Sequence, residues 1–202
     1  MMMDLLTCLT AIPDRRRAEG KMYGQAGVIL FSILAMVSGA RSYRQIHTLI
    51  DRRLGLLNAA FPGAAFPGAA FPGAALRRAP AYTSVRGILQ GLDEAELERA
   101  FRRHAEGLDH TGGASPSRFV AIDGKTLRGS FDAFADRKAA HVLSAFAVDH
   151  RIILAHELVG EKSNEIPAVQ TLIETLGLTG RVFTIDAMHC QKNIRDRQGD
   201  RQ

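Results

Sequence analysis

Two aspartates each close an apolar run of the same form, Val-Ala-Ile-Asp at 120–123 and Phe-Thr-Ile-Asp at 183–186. Carboxylates such as Asp123 and Asp186, brought to one point, repel, and each resists ionisation unless a cation sits between them. Mg²⁺ suits that role, with Mn²⁺ as the alternative. It takes oxygen ligands, keeps several waters and is commonly held by one or two carboxylates together with a substrate phosphate. A pair of such ions clamps the attacking and leaving oxygens of an in-line phosphoryl displacement. The chemistry to expect is therefore cutting or joining of phosphodiesters. Lys125 and Arg128, just past Asp123, suit phosphate contacts beside the ion or a solvated surface. Each aspartate alone has a plainer reading, because Asp123-Gly124 is a common turn pair and Asp186 could cap a following helix. The matched context of the two favours the metal site.

Other chemistry fits less well. Gly124-Lys125-Thr126 has the ending of a phosphate-binding loop, but Phe119 stands where that motif needs glycine. His189 and Cys190 are adjacent and lack two further ligands for a tetrahedral zinc site. Cys8 and Cys190 form no CxxC pair and no disulfide framework, so free thiols in a reducing compartment are expected.

Three apolar runs, 119–122, 141–148 and 152–159, read as strands of an antiparallel meander, with Asp149-His150-Arg151 as the turn between the last two. Ser163 or Asn164 can cap a helix through Ala168, Leu172, Ile173 and Leu176, with Gly177 near its end, and 182–185 is a fourth strand. A helical crossover normally returns the chain parallel to an earlier strand, so the first and fourth strands can lie side by side and point the same way. Their carboxyl ends then coincide, which is where ligands bind in open α/β sheets.

The chain before residue 112 reads as helices. Asp4 is placed to cap a first one ending before Pro13, residues 23–38 make a strongly apolar second, and Gly39 can end it. Ser42 can cap a third with Tyr43, Ile46, Leu49 and Ile50 on one face. Three successive Ala-Ala-Phe-Pro-Gly units at 59–73 forbid regular structure and predict a loop. Val85, Ile88 and Leu89 then share a helical face, and a further helix starts at Asp93, with Glu96 as capping-box partner. These last two could form a helix-turn-helix reader of DNA or, more simply, a packing hairpin. The small polar stretch 111–117 marks a boundary.

Composition is that of an ordinary soluble globular protein, 46% apolar and 23% charged. The apolar run at 28–37 is short of the roughly 20 residues of a membrane-spanning helix, and no signal peptide is apparent, so a cytoplasmic protein without a membrane partner is expected. The formal charge is +5, and residues 1–58 hold eight Arg and Lys against four Asp and Glu, a modest hint of a polyanion partner.

Three stretches, Ala-Ile-Asp-Gly-Lys-Thr-Leu-Arg-Gly-Ser at 121–130, Glu-Lys-Ser-Asn-Glu-Ile-Pro-Ala-Val at 161–169 and Thr-Ile-Asp-Ala-Met-His-Cys-Gln-Lys at 184–192, resemble the H-repeat-associated group of insertion-sequence transposases. Ile-Pro-Asp-Arg-Arg at 12–16 and Gly-Ala-Arg-Ser-Tyr at 39–43 resemble the helical domain that precedes the catalytic one there. The resemblance implies an α+β chain: a helical N-terminal domain over 1–112, with the Pro/Gly loop at 59–75, then the first part of an RNase H-like mixed sheet over 113–202 in the order β-β-β-α-β. It implies that Asp123 and Asp186 are the first two acids of an Asp-Asp-Glu triad, whose third member lies beyond this chain; Glu165 precedes Asp186 and cannot replace it. Lys162, Asn164 and Lys192, inside the matching stretches, join Lys125 and Arg128 as expected DNA contacts. The implied activity is metal-dependent cleavage and transfer of DNA strands at transposon ends, dormant in this piece alone. The alternative is a non-catalytic DNA-binding or interaction fragment, able to pair with a second copy or a full-length relative.

Overall fold

The computed structural model describes residues 4–61, 78–111, 115–127, 140–159 and 165–185. Its contacts divide the chain into a helical unit ending at Phe101 and a second unit beginning at Arg102, so the division falls inside one helix.

The helical unit starts with α1 (Leu5–Thr10), whose first turn is capped by Asp4: its carboxylate accepts from the Thr7 amide at 2.7 Å. After a 3₁₀ turn at Ala18–Gly20 come α2 (Gln25–Val37) and α3 (Tyr43–Ala60). Gly39, at φ +98°, lets the chain leave α2 through a conformation that a Cβ would oppose. Ser42 caps α3 by accepting from the Gln45 amide, and Gln45 Oε1 accepts in turn from the Arg41 amide at 2.6 Å. α3 runs through Ala60 and so takes in the first two residues of the repeat predicted to be all loop; the repeats past Phe61 lie outside the described residues. Alanine pairs favour the helix until Pro62 follows.

α2 is the centre of this unit. Val28, Ile29, Leu30 and Phe31 are buried in succession, against Leu9 and Ile12 of the N-terminal segment, Ile46 and Ile50 of α3, and Val85 and Ile88 of α4 (Tyr82–Gln90). By length and composition alone, residues 18–37 are apolar enough to cross a membrane. The chain is broken between the 3₁₀ turn and α2, however, and α2 by itself is 13 residues, about 20 Å at 1.5 Å per residue against a hydrocarbon core of about 30 Å. Its burial inside the unit is the behaviour of a core helix. Cys8 is a buried free thiol, and Cys190 lies outside the described residues.

α5 (Glu94–Thr111) is capped by Asp93, which accepts from the amides of Ala95 and Glu96. The Glu96 carboxylate pairs with Arg99 at 2.6 Å, one helical turn on. Val85, Ile88 and Ala100 are buried in the helical core, where α4 packs on α2 and α3, and five acids in α5 outnumber its three arginines, which disfavours a DNA-reading helix.

The second unit is a four-stranded mixed sheet in the order β3-β2-β1-β4, made of β1 (Phe119–Leu127), β2 (Ala140–Ala147), β3 (Ile152–Val159) and β4 (Val182–Ile185). The β1-β2-β3 meander is antiparallel, and β4 pairs parallel to β1 after the crossover helix α6 (Glu165–Leu176). Val120, Ile122, Leu143, Ala145 and Ala147 turn one face toward Val169 and Leu172 of α6 and toward Ala105 in the last turns of α5. A bulge where β2 passes from Ala145 to Phe146 puts Leu154 and Ala155 of β3 both inside, which breaks the simple alternation there. The reverse face of the sheet presents Phe119, Ile153, Leu158 and Val182, all exposed.

Candidate active site

Parallel pairing sets Phe119 opposite Val182, Val120 opposite Phe183, Ala121 opposite Thr184 and Ile122 opposite Ile185. Asp123 follows Ile122 directly. Asp186 follows Ile185 in sequence and lies outside the described residues, as do Arg128, Lys162, Asn164 and Lys192. Two of the seven predicted site residues, Asp123 and Lys125, are therefore described. Both are exposed, and because they are two apart on one strand they share the face that looks away from α6.

One local expectation is corrected. Asp123 does not end its strand, and Asp123-Gly124 is no turn: β1 continues to Leu127 against β2, with Asp123 opposite Ser144, Gly124 opposite Leu143 and Thr126 opposite His141. The ladder to β2 holds the chain extended past the point where its parallel partner stops. Gly124 is needed for space. A Cβ there would stand 2.9 Å from His141 Nε2, and the ring is held in place by a 2.9 Å bond between its Nδ1 and Thr126 Oγ1. The Gly124→Ala variant is expected to lose about 1–3 kcal/mol of stability. Urea unfolding checks this, and an unchanged midpoint would show that the ring moves aside freely.

Asp123 faces water on the open side of the sheet and makes no hydrogen bond or ion pair with a described residue. Its row on that face continues through Ser144 of β2 to His156 of β3. Among the described residues no three His, Cys, Asp or Glu side chains cluster to hold a metal. A solvated carboxylate on a strand is the kind of oxygen donor that a hard, water-retaining ion such as Mg²⁺ takes.

The sheet that carries Asp123 is anchored from its opposite end by a buried polar network that no sequence pattern announces. Asp109, near the end of α5, is 1% exposed. Arg181 Nη1 donates to its Oδ2 at 2.6 Å and to the Ser117 carbonyl at 2.8 Å, while His150 Nδ1 meets Oδ1 at 2.8 Å and the Ser117 amide donates to the same oxygen. Asp149 completes it, accepting from Ser117 Oγ and, at 2.7 Å, from the Arg118 amide. Burial opposes ionisation of Asp109, but the bonds from Arg181 and His150 outweigh it and hold its carboxyl below the usual 3.8. The amide of Arg118 and the hydroxyl of Ser117 likewise lower Asp149. Residue 117, expected in a loose boundary, is thus buried and fully engaged. The network ties α5, the start of β1, the β2–β3 turn and the residue before β4 together, and so fixes how β1 and β4 enter the sheet.

Residues 6–105 match the family described as DDE_Tnp_1-associated. The chain is 29% identical over 193 residues to YbfL of Escherichia coli K12, 28% identical over 193 residues to YhhI of the same strain, assigned as an H repeat-associated transposase, and 30% identical over 198 residues to YncI of Escherichia coli O157:H7, assigned as a transposase. These alignments cover 96%, 96% and 98% of this chain and 47% of each relative, so the chain spans about half the length of these curated relatives. No solved structure matches it. Over nearly its whole length the chain is thus similar to relatives assigned as transposases, an H repeat-associated one among them.

Proposed function

We propose that this chain supplies the first two acids of a metal-dependent centre that cuts and transfers DNA strands at transposon ends, on a sheet of the RNase H-like kind. The observation that carries the reading is the parallel register of β1 and β4, with Ile122 opposite Ile185. If that register ran on by one residue, Asp186 would stand beside Asp123 on neighbouring strands about 4.8 Å apart. Mg²⁺ or Mn²⁺ held by these two would supply Lewis-acid stabilisation and an activated water or 3′-hydroxyl.

The residues of the chain bind and orient. Lys125, on the same face as Asp123, is suited to a phosphate oxygen, and Arg128, Lys162, Asn164 and Lys192 are further proposed DNA contacts. The strand ladder to Ser144 and the packing of Ile122 against the core keep the Asp123 backbone fixed, so that ion binding does not have to order it. The partners proposed are transposon-end DNA and a second copy or a longer relative, in the cytoplasm.

The test is Mn²⁺ binding by the purified chain, followed by calorimetry. Asp123→Asn is expected to weaken it by about tenfold or more, because one of two charged ligands becomes a neutral amide. Equal Mn²⁺ affinity in the variant would sink the proposed centre.

A further inference from the structure

We infer that the solvent face of α3 is a docking surface for the phosphate backbone of duplex DNA, held through Arg41, Arg44 and Arg52. This rests on the reading of DNA as the substrate and adds which surface of the helical unit holds it.

α3 buries Ile46, Ile50 and Leu57. The opposite side carries Arg41, just ahead of the helix, then Gln45, Thr48 and Arg52 at steps of three or four residues, all exposed, with Arg44 and Arg53 on its flanks. At 1.5 Å per residue Arg41 and Arg52 stand about 16 Å apart along the axis, long enough to follow a run of phosphates. The cations lie along an open line and do not converge, as an extended polyanion requires and a small phosphorylated ligand does not.

The pairing of arginines sets this face apart. Arg15, Arg16 and Arg99 of the same unit are matched by Asp93, Asp14 and Glu96. No ion pair joins Arg41, Arg44, Arg52 or Arg53 to a described residue, and Asp51 is the one acid among residues 41–60. Like charges at this density repel one another along a helix, and a polyanion relieves the repulsion. Arg44 is partly ordered in advance, its guanidinium carbon 5.6 Å from the centroid of the Tyr82 ring of α4. Arg41 is fixed at the helix head, where its amide bonds to Gln45 and the helix dipole also favours an anion.

The experiment is binding of the chain to a short DNA duplex of arbitrary sequence, followed by fluorescence anisotropy across a salt series. The wild type is expected to show log K falling linearly with log salt. Combining Arg41→Gln, Arg44→Gln and Arg52→Gln is expected to reduce that slope by up to about 2.7, at about 0.9 per phosphate contact, and to weaken binding at least about tenfold at low salt. Arg99→Gln, which removes an already paired cation, is expected to leave both unchanged. The inference is overturned if the triple variant, with the circular dichroism of the wild type, keeps slope and affinity. It is equally overturned if the wild type does not bind duplex or prefers single-stranded RNA of the same length. Asp123-dependent Mn²⁺ binding is read separately: its survival without DNA binding overturns this inference alone, and its loss with α3-dependent DNA binding intact overturns the metal centre alone.

Discussion

Asp109→Asn is expected to cost about 3–5 kcal/mol, the range for removing one partner of a buried ion pair, and so to leave the sheet-bearing unit only marginally folded at neutral pH. Arg181, with its side chain 8% exposed, would keep a full charge while losing the carboxylate 2.6 Å away and retaining the Ser117 carbonyl. The new amide would also turn an N–H toward Arg181 or His150, donor against donor. The damage reaches the candidate site because the same carboxylate bonds to the Ser117 amide at the head of β1 and to the arginine that leads into β4.

Linkage gives this network a pH signature. Asp109 has a folded pKa below its usual 3.8, so its contribution is fully present above the unfolded value and is lost as pH falls through the folded value. Wild-type stability is therefore expected to fall on acidification below about 4, and Asp109→Asn to remove that part of the slope. A second variant separates charge from shape. Asp109→Leu combined with Arg181→Met is expected to recover most of the loss, since a buried pair replaced by apolar groups of similar volume is often neutral. Urea unfolding measures all three; a loss under about 1 kcal/mol in Asp109→Asn would show that water reaches Arg181 and the network anchors nothing.

The contrast between this network and the aspartate site shows what sequence can carry. Helix caps at Asp4, Ser42 and Asp93 were legible because the capping side chain and the amide it satisfies lie within three residues. The strands and the parallel return through α6 were legible because apolar runs and a helical crossover leave few topologies. Asp109 was not. Its partners His150 and Arg181 are 41 and 72 residues away, and each alone looks like a surface polar residue. The geometry at Asp123 was not legible: Asp-Gly is a turn signal at short range, and the ladder from β2 overrides it at long range. The exposed basic side of α3 was visible as an excess of charge. Which arginines are neutralised depends on contacts such as Arg15 with Asp93, which no local pattern fixes.

Leu172→Ala tests how far the candidate centre depends on α6. Leu172 is fully buried, in a cluster with Val169, Val120, Ile122 and Leu143. Truncating such a leucine removes buried methyl groups and leaves a cavity that the surrounding core closes only in part, at about 2–5 kcal/mol. β4 is four residues long, is an edge strand of the described sheet and pairs with β1 alone there. Four residues of edge pairing do not hold a strand without packing behind it, and what is packed here is the core face to which Phe183 and Ile185 belong. The loss is therefore expected to fall unevenly. Amide exchange should quicken in β4 and at its partners in β1 well before it quickens in the β2–β3 ladder, where antiparallel pairing spans most of both strands. Uniform acceleration across all four strands would instead make the sheet one cooperative block. If β4 loosens first, Mn²⁺ affinity should fall in Leu172→Ala although that residue touches no proposed ligand, because the register that pairs Ile122 with Ile185 is what would bring the two carboxylates to one ion.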